Sequence, residues 1–147
     1  MKITTTAFIF YKGKLLLVFH KKSQRWMHVG GHVEEGESLN DALIREIHEE
    51  TGLKVKVIDN SKKVPEELLP EVNNQELPFY VHSWLKGKDF YNALDYVCVA
   101  ESDGVALKKD ELLDFKWISR KELESADVTP YFRELARMAF DFYENNK

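Results

Sequence analysis

A single cysteine, Cys98, stands among 147 residues. One thiol closes no intrachain disulfide and builds no multi-cysteine zinc site. Long hydrophobic runs are also lacking. Stretches such as residues 15–19 fall far short of the roughly 20 apolar residues that a bilayer-spanning helix needs. The first residues carry an early lysine, and their apolar stretch is broken by Lys12 and Lys14, so neither the core nor the small-residue cleavage site of a secretion signal is expected. Nor is there an excess of basic charge. Twenty-one Lys and Arg against 25 Asp and Glu leave a net charge of −4, which argues against binding duplex nucleic acid through general electrostatics. What is present is ordinary: 44% hydrophobic and 31% charged residues, a balance that does not favour disorder. A chain of this length buries about two-thirds of its unfolded surface. No repeat, low-complexity tract or shift in composition marks a second domain. The expectation is one soluble, cytoplasmic domain spanning residues 1–147.

Alternation and β-rich composition predict strands over residues 1–10 and 14–20, around a turn at Tyr11-Lys12-Gly13. Residues 20–25 read as a short basic loop, and Gly30, Gly31 and Gly36 punctuate the stretch after Trp26. The strongest helix signal covers residues 38–51. Ser38 supplies an N-cap with Asp41 three residues on, and Gly52 sits where a terminating glycine belongs. Further strands are expected over residues 53–58, 77–85, 93–100 and 113–118, and a helix over 131–143. Residues 61–76, with Pro65, Pro70 and Asn73-Asn74, form a connection that includes a short helical turn. Several strands with one central and one terminal helix make the fold class α/β or α+β.

The central helix carries Glu46, Glu49 and Glu50, with Glu37 just ahead of it and Arg45 inside it. Residues three and four apart share a helix face, so the three carboxylates converge. A solvated acidic face is the common reading of such a cluster. Two observations oppose it here. On a wheel of roughly 100° per residue, Leu39, Ala42, Leu43 and Ile47 form one arc, and Glu46 and Glu50 fall within it. Asn40, Asp41, Ile44, His48 and Thr51 lie opposite. Carboxylates on the core-facing stripe are expensive if unpaired, and only Arg45 stands nearby to offset three like charges. A bound divalent cation removes both objections, because hard cations such as Mg²⁺ take carboxylate oxygens readily. The paired glycines ahead of the helix fit this picture, since a Gly-rich turn before a helix brings backbone groups close to a phosphate or a metal.

The spacing is also family-specific. Gly31, five residues, Glu37, seven residues, then Arg45-Glu46-Ile47-His48-Glu49-Glu50-Thr51-Gly52-Leu53 resembles the Nudix box at every fixed position. The resemblance implies an αβα sandwich with a mixed central β-sheet. It also implies Mg²⁺- or Mn²⁺-dependent hydrolysis of a diphosphate linkage in a nucleoside diphosphate joined to another moiety. Carried over by position, Glu46, Glu49 and Glu50 with the Gly30 carbonyl would ligate metal, while Arg45 and Glu37 would hold the carboxylates. Water would attack phosphorus, which needs no covalent nucleophile and suits a sequence without a visible Ser-His or Cys-His pair. Glu46 and Glu111 both stand as the general base. One departure is Val29, where many members carry proline; it alters loop stiffness, not chemistry. The competing reading is a non-catalytic Nudix module that senses a nucleotide or binds a protein, which would have no need of intact box carboxylates.

Other features carry less. His28 and His32 have ligand spacing only on a helix, which Gly30-Gly31 opposes, so a zinc site is not expected. Lys21, Lys22 and Arg25 read as a solvated loop, with contact to substrate phosphates as the alternative. Trp26, Phe79, Tyr80 and Trp84 read as core aromatics first and base-stacking groups second. Cys98 reads as a buried, inert thiol. Pro70 lies where ADP-ribose-cleaving relatives often carry a proline, and it does not decide the substrate. Loops 20–25 and 61–76 are expected to read the moieties flanking the diphosphate, and an isologous homodimer is the usual default for a small enzyme.

Overall fold

The computed structural model describes residues 1–68 and 71–147. Strands β1 (Lys2–Tyr11) and β2 (Lys14–His20) form a hairpin. Lys12 and Gly13 both take positive φ, 47° and 81°, as the two-residue turns whose twist matches the flanking strands require. Two short strands follow, β3 (Arg25–Met27) and β4 (Val29–His32), where the sequence suggests only loop and glycine-rich turn. Strands of three and four residues are too short to show an alternation. Helix α1 (Leu39–Thr51) ends within a residue of expectation. The Ser38 hydroxyl accepts from the Asp41 amide, and Gly52 closes the helix at φ 70°.

After β5 (Val55–Ile58), a 3-10 turn at Glu66–Leu68 supplies the short helical turn expected in the long connection. Pro70 lies outside the described residues. Strands β6 (Tyr80–Lys86) and β7 (Asp89–Ala100) form the second hairpin, and β7 begins earlier than its apolar run suggests. Strand β8 (Leu112–Ile118) is followed by α2 (Arg120–Leu123), a single turn that the sequence reading missed. Ser119 and Glu122 close a capping box around it. Helix α3 (Pro130–Asn146) extends the expected terminal helix at both ends.

The eight strands form one mixed sheet. Strand β1 lies at its centre, parallel to β7 from Lys2↔Tyr91 to Phe10↔Val99. On its other side β1 divides its partners: its last residues pair with β2 and its first half pairs with β4, from Thr4↔His32 to Ala7↔Val29. The sheet therefore opens where β2 and β4 diverge. Strand β7 carries β6 at its start and β5 at its end, while β2 carries β3 and β8.

Alternation along the central strands feeds two cores. Phe8, Phe10, Leu15, Leu17 and Val97 pack against Phe132, Leu135, Ala136, Ala139 and Phe140 of α3. Ala7, Ile9, Leu16, Val18, Tyr96 and Cys98 face the other way, onto Leu43 and Ile47 of α1. The result is the αβα sandwich with a mixed sheet that the sequence led us to expect. No helix among the described residues is long and apolar enough to cross a membrane.

Candidate active site

The box residues gather where α1 packs on β4. Glu50 is 4% exposed although it is a carboxylate, as the wheel anticipated. Its Oε1 accepts a hydrogen bond of 2.8 Å from the Gly30 amide. Burial pushes its pKa up to about 7; the Gly30 N–H opposes the shift, while the charges of Glu46 and Glu111 reinforce it. Glu46 lies against Gly31, where a Cβ would come within 2.3 Å of the Glu46 carboxyl carbon. Gly31 is therefore glycine for space, not for backbone conformation. Gly30 differs, because its φ is 155° and a Cβ there would fall 2.2 Å from the Thr5 carbonyl oxygen.

Arg45 ties the acidic side chains together. It donates to both oxygens of Glu37, at 2.6 and 2.8 Å, to Glu46 at 2.9 Å and to Glu49 at 3.4 Å. It also donates to the His32 carbonyl at 3.1 Å, which links α1 to β4, and its Nη1 lies 3.8 Å from Glu34 Oε1. The guanidinium holds Glu37 well below the usual carboxylate range, at about 2, and Glu37 in turn raises the pKa of Arg45. Glu49 points outward, with its side chain about half exposed. The structure thus brings Glu37, Arg45, Glu46 and Glu49 into one ion-pair network and sets Glu50 beside it against Gly30. Among the described residues no three acidic, histidine or cysteine side chains are drawn together at ligand spacing.

Even so, the donor set suits a hard cation. It offers two carboxylates, Glu46 and Glu50, sunk between helix and strand. Glu50 is buried, and the nearest carboxylates repel its charge. A divalent ion would supply the missing countercharge and would lower the Glu50 pKa.

A cleft of about 770 Å³ opens beside Glu50 and the paired glycines, lined by Gly30, Gly31, Glu50, Glu111, Lys21 and Lys22 among others; Glu46, Glu49 and Arg45 lie outside its lining. Glu111 reaches it through a segment sewn to the end of α1. The amides of Ala106 and Lys108 donate to the Thr51 and Glu50 carbonyls, and the Lys21 amide donates to the Glu111 carbonyl. These bonds satisfy carbonyls that the last turn of a helix leaves free. They also bring Glu111 to the cleft near Glu50, its carboxylate accepting, among the described residues, from Lys108 alone, at 3.3 Å. The sequence marked Glu111, the lysines and the loop that begins at His20 but gave the imidazole no role of its own; its Nε2 bonds the His28 carbonyl at 2.8 Å beside the cleft. Arg25 faces a different hollow, with Asp127 and Thr129.

The remaining sequence candidates divide. His28 immediately precedes β4 and His32 is its last residue, so neither lies on a helix. His28 lies against Phe8 and Phe132, and burial pushes its pKa down to about 4, so it is neutral. Phe79 packs on Phe8, and Trp26 packs on Phe19 beneath the Lys116 ammonium. Tyr80 and Trp84 remain partly exposed. Cys98 is fully buried, and burial raises its pKa. Thr51 departs from its place on the wheel. It is buried, its hydroxyl bonding back to the Ile47 carbonyl.

A model of the NUDIX domain family matches residues 1–138. Over 116 residues, 78% of the chain, the sequence is 29% identical to "Nudix hydrolase 19, chloroplastic" of Arabidopsis thaliana, covering 23% of that protein. Over 79 residues, 54% of the chain, it is 33% identical to "Probable DHNTP pyrophosphohydrolase" of Lactococcus lactis, covering 43% of that protein. The chain thus spans less than half the length of these curated relatives. Among solved structures, a NUDIX-family hydrolase from Clostridium perfringens superposes with a TM-score of 0.82 at 26% identity, over 96% of this chain and 97% of that one. A C. elegans Ap4A hydrolase shares the fold, with a TM-score of 0.73 at 17% identity over 99% of each chain.

Proposed function

The chain belongs to the Nudix family, and on that premise we propose that it hydrolyses a diphosphate linkage in a small nucleotide derivative, with Mg²⁺ or Mn²⁺ as cofactor. The observation that carries this reading is Glu50, a buried carboxylate in the cleft lining, charge-opposed by its neighbours and, among the described residues, hydrogen-bonded through its side chain to the Gly30 amide alone. A module that merely senses a ligand would gain nothing from that cost.

In this reading Glu46, Glu49 and Glu50 hold the cation, with the Gly30 carbonyl as a fourth donor. Arg45 and Glu37 keep Glu46 and Glu49 aligned on α1. The cation, when bound, supplies charge for the phosphoryl oxygens and lowers the pKa of water. Lys21 and Lys22, on the rim, attract the substrate's phosphates. Glu111 acts as the general base. It faces the cleft with only Lys108 as partner, whereas Glu46 is engaged by Arg45 at 2.9 Å. The names of the similar proteins place dihydroneopterin triphosphate and dinucleoside polyphosphates among the compounds to assay.

The test is a Mg²⁺-dependent phosphate-release screen, with and without EDTA. It covers nucleoside triphosphates, nucleotide sugars, ADP-ribose, dinucleoside polyphosphates, dinucleotide cofactors and dihydroneopterin triphosphate. Metal-dependent turnover that Glu50→Gln abolishes is the expected result. Silence across the panel, with a nucleotide that still raises Tm, would replace the hydrolase by a sensor.

A further inference from the structure

Several strands lie at the margins of the sheet, and one of them is unguarded. Strands β3, β4 and β5 are three or four residues long, and β5 carries Lys56 inside it. Strand β8 meets β2 through a register shift and carries Asp114 and Lys116. Short edges, bulges and charges are the means by which sheet margins avoid pairing with another chain. Strand β6 has none of these. It runs seven residues, Tyr80-Val81-His82-Ser83-Trp84-Leu85-Lys86, in unbroken register with β7. It holds no proline, and its one lysine stands at the end. Among the described residues no strand pairs with its other side.

This free edge is apolar on both faces. On the α1 face Val81 and Leu85 are 55% and 59% exposed, and Phe90, the register partner of Leu85 on β7, is 59% exposed. On the α3 face Tyr80, His82 and Trp84 form a ladder with ring centroids 6.1 and 5.8 Å apart, and Trp84 stacks on Tyr91 at 5.4 Å. Apolar groups gathered along an unpaired strand mark a surface that another chain covers. The occupant follows from the strand's own sequence, which is self-complementary about Ser83. Laid antiparallel beside a second β6 on a two-fold axis at Ser83, Val81 opposes the partner's Leu85 and His82 opposes the partner's Trp84. Tyr80 then opposes the partner's Lys86, so each ammonium meets a ring, whereas parallel pairing would set the two lysines against each other. Because Val81 pairs with Leu94 as Leu85 pairs with Phe90, an unbroken apolar row crosses the seam from Phe90 and Leu85 to the partner's Val81 and the partner's Leu94.

We propose that β6 is a dimerisation edge, through which two copies of the chain join by antiparallel β6–β6 pairing about Ser83 into one continuous sheet. The contact is isologous, each copy presenting the same strand to the other, and it closes after two copies. The area suffices. Tyr80, Val81, Trp84 and Leu85 are between 38% and 59% exposed, which leaves about 100 Å² of each to cover. With the backbone edge and the Lys86 stem, a symmetric pair hides about 1,000 Å², the lower bound of a specific interface. The dimer is therefore a weak and reversible one.

The experiment is sedimentation of the full chain from about 1 to 300 µM, the range over which an interface of this size dissociates. A monomer–dimer equilibrium is the expected result. Ser83 is exposed, so Ser83→Glu should fold as the wild type does, while the two like charges it sets at the axis should raise the dimer dissociation constant about tenfold or more. Cross-linking then reads the register. Under mild oxidant Ser83→Cys should give a covalent dimer, because position 83 alone faces itself. Leu85→Cys should not, and Val81→Cys combined with Leu85→Cys should. Cys98 is buried and adds no background. A protein that stays monomeric at the highest concentration, leaving the edge to some other partner, would overturn the proposal. So would a dimer indifferent to Ser83→Glu, or one that cross-links through Leu85→Cys as readily as through Ser83→Cys. No turnover is read, so the outcome is independent of the function proposed above.

Discussion

Gly30 and Gly31 are neighbours in sequence but are constrained by different groups, and their alanine variants should separate fold from chemistry. A methyl at Gly30 meets the Thr5 backbone at a positive φ, so Gly30→Ala should strain β4 and lower Tm sharply. A methyl at Gly31 meets first the movable end of Glu46, so Gly31→Ala should fold and lose activity as Glu46 is displaced. Equal Tm losses in the two variants would show that the distinction is wrong. The Glu50 carboxyl gives a pH prediction. Its folded pKa of about 7 lies above the ordinary 4.5, so in chelator its protonation favours the folded state at low pH, and that contribution fades as pH rises through about 7. Melting curves in EDTA should therefore fall from pH 5 to pH 8 more steeply for wild type than for Glu50→Gln. Mg²⁺ at pH 8 should raise the Tm of wild type far more than that of the variant. Parallel curves would contradict the burial argument. That Glu50 would be buried was legible from the wheel alone. That Gly30 would be its hydrogen-bond donor was not, because the bond spans twenty residues and exists only once β4 has paired with β1.

Helix α1 is defined by local chemistry. Ser38, Asp41 and Gly52 fix its ends, and its apolar stripe fixes the face it buries. Replacing Ser38 by alanine removes the acceptor for the Asp41 amide and should cost about 1 kcal/mol in denaturant unfolding. An unchanged midpoint would mean the cap is dispensable. The short elements behave differently. β3 and β4 exist through pairing, β3 on β2 and β4 on β1, and their own residues carry too little periodicity to announce them. α2 had a readable signal in Ser119 and Glu122, a capping box without an apolar run behind it. Strands β6 and β7 were legible as strands, but the meeting of their side chains was not. His82 and Asp95 meet across thirteen residues of sequence, on different strands, and no local spacing links them.

At the scale of the molecule, two cores hold two helices on one sheet, and the cleft belongs to neither alone. Phe8 shows the coupling. It touches Phe79 from the long connection, Phe132 from α3 and His28 beside the box glycines. Phe8→Ala should cost about 3–5 kcal/mol and lower Tm by roughly 10 °C or more for a domain of this size, and it should loosen the α3 core. A small shift in Tm would mean that the site collapses around the void. The general-base assignment is tested at this scale too, since Glu111 is delivered by a segment hung on the end of α1. Glu111→Gln should lower kcat by about 10²–10⁴ with little change in KM or Tm. A loss confined to KM would make Glu111 a binding group instead.

By itself the sequence determined what depends on short-range spacing: the box, the capped acidic helix with Glu46 and Glu50 on its inner face, the major strands, and hence the family and the sandwich. Helical and strand periods and turn chemistry are properties of a dozen residues at a time, so they can be read without a fold. Only the tertiary structure decided how distant groups meet: Gly30 on Glu50, Glu111 at the cleft, and Thr6, Asp95 and His82 across β1, β7 and β6. Those meetings depend on strand order and register, which arise when burial of both sheet faces selects one pairing among many. No local pattern in the chain encodes that selection.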